Sequence, residues 1–264
     1  MTSNPTSDSG PQGIPAATII IFRNAPDGSA PEVLMTVRSR NMTFAGGMAV
    51  FPGGRVDPAD FALGERIAAE TGLAPDEAAH QIAAVRETLE ETGLALGLAG
   101  DIDAARAAAA RAMLAENGAL APVLDAFGWT LDLAQITPFA RWFPKNEDIP
   151  RVYDTRFYLA NLGTGDVEVS IDAAENTHLF WTSAQGALDA AARGDIKLIF
   201  PTRRNLERLA LFASYEEARA QAEAIPVRTI MPQVVEQDGR PWLTILADAG
   251  YPVTGELLEN VARG

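Results

Sequence analysis

Apolar positions alternate with turn signals over the first part of the chain, a pattern typical of β-strands. Residues 17–22 (ATIIIF) are rich in β-branched side chains, which predicts a buried strand. A turn over residues 24–31 (NAPDGSAP) separates them from a second predicted strand over residues 32–37 (EVLMTV). We therefore expect the two strands to pair as a hairpin. The chain must then turn sharply at the Pro-Gly-Gly sequence of residues 52–54.

The clearest helix is predicted over residues 75–93. Pro75 suits the first helical position, two acidic residues follow it at the positive end of the helix dipole, and Gly93 suits the end. Apolar side chains recur at i, i+3 and i+7, which gives the helix one face for packing on a core. These side chains are Ile82, Val85 and Leu89.

The rest of the chain predicts a mixture of helices and strands, and it contains no internal repeat. Helices are expected over residues 62–69, 101–117, 122–127, 183–193, 202–212 and 215–224, of which the second is rich in alanine. Strands are expected over residues 136–143 and 155–160, near residues 178–181, and around a turn at Asp238-Gly239 within residues 226–252.

The composition of the chain says more about the possible classes of function than about the fold. With 47% hydrophobic and 21% charged residues among 264, the chain can form a sizeable core. The net charge of −14 argues against nucleic acids and anionic membranes as partners, because both bind basic patches. There is no cysteine and there are two histidines, His80 and His178, which favours hard cations on carboxylates over transition metals. Without a signal peptide or a long apolar run, we expect a soluble, cytoplasmic protein.

The segment with the clearest chemistry is residues 86–94 (RETLEETGL), within the predicted helix. At 100° per residue, Glu87, Glu90 and Glu91 lie at about 0°, 300° and 40°, which is one face of the helix. Carboxylates this close repel each other, and a hard divalent cation turns the repulsion into coordination. Arg86 lies four residues before Glu90 and can pair with it. The alternative is a solvated acidic face without function.

This segment resembles the second half of the Nudix box, and the Pro-Gly-Gly sequence after Phe51 resembles its beginning. Gly54 fits the leading glycine of that pattern, whose carbonyl completes the metal site in the family. Asp60 stands where the first glutamate is expected, and 25 residues separate it from Arg86 where the pattern has seven, so that 18 are inserted. The insertion leaves the role of Asp60 open. An interrupted box of this kind is similar to that of the acyl-coenzyme A diphosphatase branch of the family.

Residues before the box also resemble this branch. The coenzyme A recognition motif of the branch places Arg38, Ser39, Gly47 and Phe51 in register, whereas Thr43 and Ala45 replace its arginine and histidine. Two later segments, residues 141–144 (RWFP) and 154–158 (DTRFY), are similar to peroxisomal-type members. Guanidinium groups suit phosphate oxygens. The candidate substrate-binding residues are Arg38, Ser39, Phe51, Arg141 and Arg156.

The resemblance implies a Nudix-type α/β/α sandwich with a mixed β-sheet and additional C-terminal helices. We predict a disordered tail over residues 1–15 and a hydrolase domain over residues 16–225, with insertions at residues 61–78 and 100–130. A C-terminal extension over residues 226–264 is expected to pack on that domain. The role of the alanine-rich insertion and the state of association, a homodimer included, stay open.

The implied activity is metal-dependent hydrolysis of a diphosphate bond. The substrate that the resemblance favours is coenzyme A or acyl-coenzyme A, which would give adenosine 3′,5′-bisphosphate and a phosphopantetheine. ADP-ribose, NADH or a nucleoside diphosphate sugar is the first alternative, and a non-catalytic nucleotide-binding regulator is the second. The implied cofactor is Mg²⁺ or Mn²⁺, and the glutamate that acts as general base stays open. The implied metal ligands are Glu87, Glu90, Glu91 and Gly54, and the implied catalytic residues are these glutamates with Arg86.

Overall fold

The computed structural model of the chain describes residues 13–25, 27–37, 47–144, 151–163 and 178–261. Its centre is a mixed eight-stranded sheet, accompanied by a three-stranded and a two-stranded sheet. The strands in chain order are β1 (Ile14–Arg23), β2 (Glu32–Val37), β3 (Ala49–Val50), β4 (Gly53–Arg55), β5 (Leu98–Ala99), β6 (Thr130–Leu131), β7 (Thr137–Trp142), β8 (Tyr153–Asn161), β9 (His178–Ser183), β10 (Thr229–Ile230), β11 (Gln233–Gln237), β12 (Arg240–Thr244) and β13 (Gly255–Leu257).

Helices cover both faces of the central sheet, so the predicted α/β/α sandwich with a mixed sheet and additional C-terminal helices is confirmed. None of the described helices has the length and apolar character needed to span a membrane. The α-helices are α1 (Pro58–Thr71), α2 (Pro75–Thr92), α3 (Ala104–Asn117), α4 (Leu120–Phe127), α5 (Ala184–Arg193), α6 (Phe200–Leu209) and α7 (Tyr215–Ala224), and short 3-10 helices lie at Leu133–Gln135 and Leu258–Asn260.

The order of the central sheet is β10-β7-β8-β1-β2-β3, with β4 also beside β1 and β9 also beside β2. The long central strand β1 runs parallel to β8 and antiparallel to β2 and β4. Its side chains alternate between the two cores, because successive residues of a strand point to opposite faces. Ile19 and Ile21 pack with α1 to α4, and Ile20 and Phe22 pack with α5 to α7.

Several predicted elements are confirmed, and two predictions on the N-terminal half are corrected. The hairpin of β1 and β2 forms, and α2 ends at a left-handed Gly93. Strand β1 begins at Ile14, inside the predicted tail, because its first residues pair with β8; residues 1–12 lie outside the described residues. The short helix predicted at 62–69 is the fourteen-residue α1.

The 18 residues inserted in the box form most of a helical hairpin. Asp57 and Asp60 begin α1 with a reciprocal capping box, and α1 then packs along α2. The two helices approach most closely at Gly64, where an added Cβ would lie 2.8 Å from the backbone nitrogen of Ala79 and 2.8 Å from the carbonyl oxygen of Pro75. Only a residue without a side chain fits between the two backbones.

We expect Gly64→Ala to destabilise the protein. Alanine favours a helix interior over glycine by about 1 kcal/mol, but here its methyl group must displace backbone atoms, which costs about 1–3 kcal/mol. Urea unfolding should therefore give a lower free energy of unfolding for the variant. The matched control is Ala69→Gly on the exposed side of α1, which measures the intrinsic helix preference alone. A stabilised Gly64→Ala variant would show that α1 and α2 do not approach as closely as described.

The C-terminal residues contact the central sheet. The indole nitrogen of Trp142 on β7 donates to the hydroxyl of Tyr251, which donates to the side-chain oxygen of Asn205 on α6. All three side chains are buried. The strands β11, β12 and β13 form the small antiparallel sheet, with the predicted turn at Asp238-Gly239 between the first two. The division of the chain at residue 225 stays a prediction.

Candidate active site

The second half of α2 is buried except for a strip of three glutamates. From Gln81 to Thr92, every residue is buried other than Glu87, Glu90 and Glu91, which are partly exposed. The apolar side chains of the same stretch pack against β1 and α1. The packing of α2 therefore holds the three carboxylates on one side of a rigid element, as their helical spacing predicts.

The glutamate strip faces the glycine bend that leads into β4. The backbone N–H of Gly53 donates to Oε2 of Glu91 at 2.9 Å. An added Cβ on Gly54 would lie 2.3 Å from Oε1 of Glu87, so that the carboxylate of Glu87 sits directly against this glycine. Strand β4 is held in turn by pairing of Gly53 and Gly54 with β1. The two halves of the interrupted box thus meet in space.

The buried guanidinium of Arg86 links the carboxylates of the box. Its Nη1 donates to Glu87 at 2.9 Å and to Glu90 at 3.3 Å, so the predicted pairing with Glu90 is present. Its Nη2 donates to the carbonyl oxygen of Arg55 at 2.8 Å. Burial lowers the pKa of Arg86, but the hydrogen bonds with Asp60 and the charge of Glu87 outweigh it and raise the pKa above its ordinary value. Arg86 is therefore a permanent cation in the site.

Asp60 is the principal partner of Arg86. Its carboxylate accepts from Nε at 3.1 and 3.2 Å and from Nη2 at 3.0 Å, and it also accepts the backbone N–H of Asp57. Only 1% of Asp60 is exposed. The sequence left its role open because of the insertion. Its position at the register of the first box glutamate was the signal that could have identified it.

Burial and a neighbouring carboxylate raise the pKa of Glu87 to about 7. Burial is the largest cause, the cation of Arg86 lowers the pKa, and the neighbouring carboxylate of Glu90 raises it again. A carboxylate in this environment is stabilised by any additional positive charge. The electrostatics of the strip therefore favour a cation.

The donor set suits a hard divalent cation. In the part of the chain that the structure describes, no three acidic or histidine side chains already surround a common point closely enough to hold a metal. The available donors are nevertheless all oxygens, from the glutamate strip and the carbonyl of Gly54, and Mg²⁺ and Mn²⁺ prefer such donors. The missing side chain of Gly54 leaves the carboxylate of Glu87 room beside the bend. The glutamate strip and the carbonyl of Gly54 are therefore suitable ligands for Mg²⁺ or Mn²⁺.

We expect Gly54→Ala to impair activity with little loss of stability. The added methyl group would overlap the mobile end of Glu87, which can move aside, so unfolding should change by less than about 1 kcal/mol while kcat falls about 10-fold or more. Gly53→Ala is the contrasting variant. Its φ is 151° and its Cβ would meet the backbone oxygen of Ala17 at 2.3 Å, which predicts a large loss of stability. Thermal unfolding and steady-state kinetics of both variants test this difference, and equal behaviour would contradict it.

A basic residue from the alanine-rich insertion supports the end of α2. Nε of Arg111 on α3 donates to the carbonyl of Glu90 at 2.7 Å, and Nη2 donates to the carbonyl of Glu91 at 3.2 Å. These carbonyls lie at the negative end of the helix dipole, where a cation is favourable. Arg111 thus fixes the backbone beneath two glutamates of the strip. Sequence reasoning missed it, because nothing in the pattern of α3 indicates which element it touches.

Of the polar residues predicted to bind substrate, Arg141 and Arg156 are described by the structure, and both form ion pairs within the protein. Arg38 and Ser39 lie outside the described residues. Arg141 forms a two-pronged pair with Asp154, with distances of 2.8 and 2.6 Å. Arg156 pairs with Asp76 and Glu77, at the first turn of α2.

Distance along α2 separates Arg156 from the glutamate strip. Glu77 and Glu87 are ten residues apart, which is about 15 Å at 1.5 Å per residue. The guanidinium of Arg156 has carboxylate partners within the protein, and burial, which lowers its pKa, is outweighed by the charge of Glu77. These contacts suit a structural ion pair, and a role of Arg156 or Arg141 toward substrate stays a prediction.

A cleft lies next to the glycine bend, on the face of the central sheet opposite to α2. Gly53 lines this cleft, and its backbone N–H also donates to Glu91 of the glutamate strip. Strands β1, β8 and β7 form its floor, and the beginning of α6 forms one side. Phe51, predicted to bind substrate, also lines the cleft. The aromatic residues around the cleft are Phe51, Trp142, Tyr153 and Phe157.

Comparison with known proteins agrees with this geometry. Residues 14–103 match the family described as the NUDIX domain, a segment that includes both halves of the box. The crystal structure of a NUDIX hydrolase from Alicyclobacillus acidocaldarius superimposes with a TM-score of 0.68 and 29% sequence identity, over 79% of this chain and 96% of that one.

Two further solved structures are more distant. The NUDIX domain of Shewanella oneidensis NrtR complexed with ADP ribose is 14% identical, with a TM-score of 0.41 over 78% of this chain and 90% of that one. The C. elegans Ap4A hydrolase is 18% identical, with a TM-score of 0.36 over 70% of this chain and 90% of that one.

The fold and the site together define a hydrolase that acts on diphosphate bonds. Residues 14–103, the segment that matches the NUDIX domain, contain β1, β4 and α2, which bring the glycine bend and the glutamate strip together.

Proposed function

We propose that this protein hydrolyses the diphosphate bond of coenzyme A or an acyl-coenzyme A with the help of Mg²⁺ or Mn²⁺. The observation that carries the chemistry is the strip of Glu87, Glu90 and Glu91, which alone is exposed on the buried half of α2 and faces Gly53 and Gly54. The finer choice of substrate rests on the resemblance around Arg38 and Ser39, and on the cleft beside the bend.

Each residue of the site has a role in this proposal. When bound, a divalent cation neutralises phosphate oxygens and lowers the pKa of an attacking water. Glu87, Glu90, Glu91 and the carbonyl of Gly54 would hold it. Arg86, anchored on Asp60, keeps two of the carboxylates in place.

The cleft suits a substrate with an organic part beside its diphosphate. Apolar and aromatic walls remove ring systems and aliphatic chains from water, and a few polar groups set the orientation. Here Phe51, Trp142 and Phe157 supply the apolar surface, and Gly53 connects it to the glutamate strip. A nucleotide or a pantetheine arm in the cleft would lie next to the diphosphate that is cleaved.

Mass analysis of products tests the proposal. Incubation of the protein with coenzyme A and Mg²⁺ or Mn²⁺ should release adenosine 3′,5′-bisphosphate and phosphopantetheine in equal amounts. ADP-ribose, NADH and nucleoside diphosphate sugars are the comparison substrates, and faster turnover of one of these would replace coenzyme A while keeping the chemistry. No turnover of any of them, with retained nucleotide binding, would favour a regulator without catalysis.

A further inference from the structure

Arg111 on α3 connects the alanine-rich insertion with the proposed metal site. We propose that Arg111 is a positioning residue of that site, which holds the last turn of α2 so that Glu90 and Glu91 keep the geometry in which they bind the cation. This step rests on the proposed function, because it takes the glutamate strip to be a metal site. It gives a role to the insertion, which the sequence left open.

Two of the proposed ligands lie where the hydrogen bonds of α2 end. The last four carbonyls of an α-helix have no N–H partner within the helix, and helix ends fray for this reason. Glu90 and Glu91 belong to this final turn, because α2 ends at Thr92. They therefore stand on the part of α2 whose backbone the helix itself holds least.

The residues that follow α2 satisfy other groups of the final turn. The N–H of Gly93 donates to the carbonyl of Leu89 at 3.0 Å. The N–H of Leu94 would reach the carbonyl of Glu90 in a continued helix, but it donates to the hydroxyl of Thr92 at 3.1 Å. The carbonyl of Glu90 therefore takes its donor from another element of the fold.

Arg111 supplies this donor from a fixed position. Its Nε donates to the carbonyl of Glu90 at 2.7 Å, and its Nη2 donates to the carbonyl of Glu91 at 3.2 Å. A planar guanidinium keeps its donors in a rigid fork, so one side chain spans two consecutive carbonyls. Ala110 and Leu114, on the same helix, are buried in the core that also contains the apolar side chains of α2. The packing of α3 is therefore transmitted to the backbone of both glutamates.

The two arginines near the strip act on different parts of the same ligands. Arg86 donates to the carboxylates of Glu87 and Glu90, whereas Arg111 donates to the backbone carbonyls of Glu90 and Glu91. Groups that orient the ligands of a metal change its affinity although they do not touch it. The loss of Arg111 should therefore weaken metal binding while the carboxylates themselves remain.

Calorimetric titration of the intact protein with Mn²⁺, without substrate, measures this effect. Arg111→Met should raise the dissociation constant of Mn²⁺ about 10-fold, the lower end of what the loss of a ligand-orienting group costs. Arg111→Lys keeps a cation at the end of the helix dipole and should recover part of the affinity. Amide hydrogen exchange at the end of α2 should be faster in Arg111→Met, because the final turn opens more often.

Arg106→Met is the matched control. Arg106 lies on the same helix and also donates to a carbonyl at the end of a helix, that of Phe127 on α4, at 2.7 Å. Its substitution removes the same kind of bond from α4 instead of α2, so the affinity for Mn²⁺ should not change. Thermal unfolding without metal verifies that all three variants are folded.

Equal affinity of the parent and Arg111→Met for Mn²⁺ would overturn the role of Arg111 and leave the proposed function in place. An equal loss of affinity in Arg111→Met and Arg106→Met would do the same, because it would indicate a general effect of stability. Absence of coenzyme A hydrolysis, with the difference between these two variants intact, would remove the proposed substrate and keep the role of Arg111. Absence of Mn²⁺ binding by the parent would remove the metal site and this role together.

Discussion

Glu91→Gln is expected to lower kcat for diphosphate hydrolysis by about 100-fold or more, with little change in stability. The substitution removes one negative charge from the strip, and a hard cation binds a neutral amide oxygen less strongly than a carboxylate. The glutamine oxygen can still accept the N–H of Gly53, which Glu91 accepts at 2.9 Å, so the glycine bend should keep its place. Steady-state kinetics across a range of Mn²⁺ concentrations measure the effect.

The metal dependence of this variant distinguishes a loss of catalysis from a loss of folding. Half-saturation should require more Mn²⁺ than in the parent, while the thermal unfolding temperature without metal stays the same. Glu116→Gln, at an exposed position of α3, removes the same charge from the surface and should leave kcat unchanged. A Glu91→Gln enzyme as active as its parent would mean that the glutamate strip is not the catalytic centre.

Arg86→Met is expected to reduce both activity and the free energy of unfolding. The side chain of Arg86 is 4% exposed and that of Asp60 is 1% exposed, so the substitution leaves a buried carboxylate without its cation. Breaking a buried pair in this way costs about 3–5 kcal/mol. Urea unfolding measures the loss.

A second substitution separates the two effects. Asp60→Leu combined with Arg86→Met removes the buried charge as well as its partner, and should recover at least about 2 kcal/mol of the lost stability. Activity should not return, because Glu87 and Glu90 still lack the guanidinium that holds them. Recovery of full activity in the double variant would show that Arg86 serves stability alone.

The site could be predicted from the sequence where local spacing decides the geometry. Glu87, Glu90 and Glu91 share a face because four residues make about one helical turn, and the caps at Pro75 and Gly93 bound that helix correctly. The hairpin of β1 and β2 could also be predicted, because two β-branched runs separated by a short turn are local in the sequence.

Contacts between distant segments could not be predicted in this way. Arg111 on α3 donates to the carbonyl of Glu90 at the end of α2. The alanine-rich sequence of α3 does not indicate which element it contacts, and only tertiary packing brings α3 and α2 together. Arg156 was predicted to bind substrate, a role that stays a prediction, and the sequence did not indicate that its guanidinium pairs with Asp76 and Glu77 in the first turn of α2. Which of several anions an arginine contacts depends on tertiary structure, and the residue type alone gives no answer.

The helical hairpin inserted within the box has a consequence for finding proteins of this kind. Asp60, at the start of the hairpin, pairs with Arg86 on its second helix. The two ends of the box therefore keep their contact although a helical hairpin is inserted between them. A search that demands fixed spacing between the glycine and the arginine would pass over such chains. Scoring the two ends separately, with any length of paired helices between them, would retrieve them.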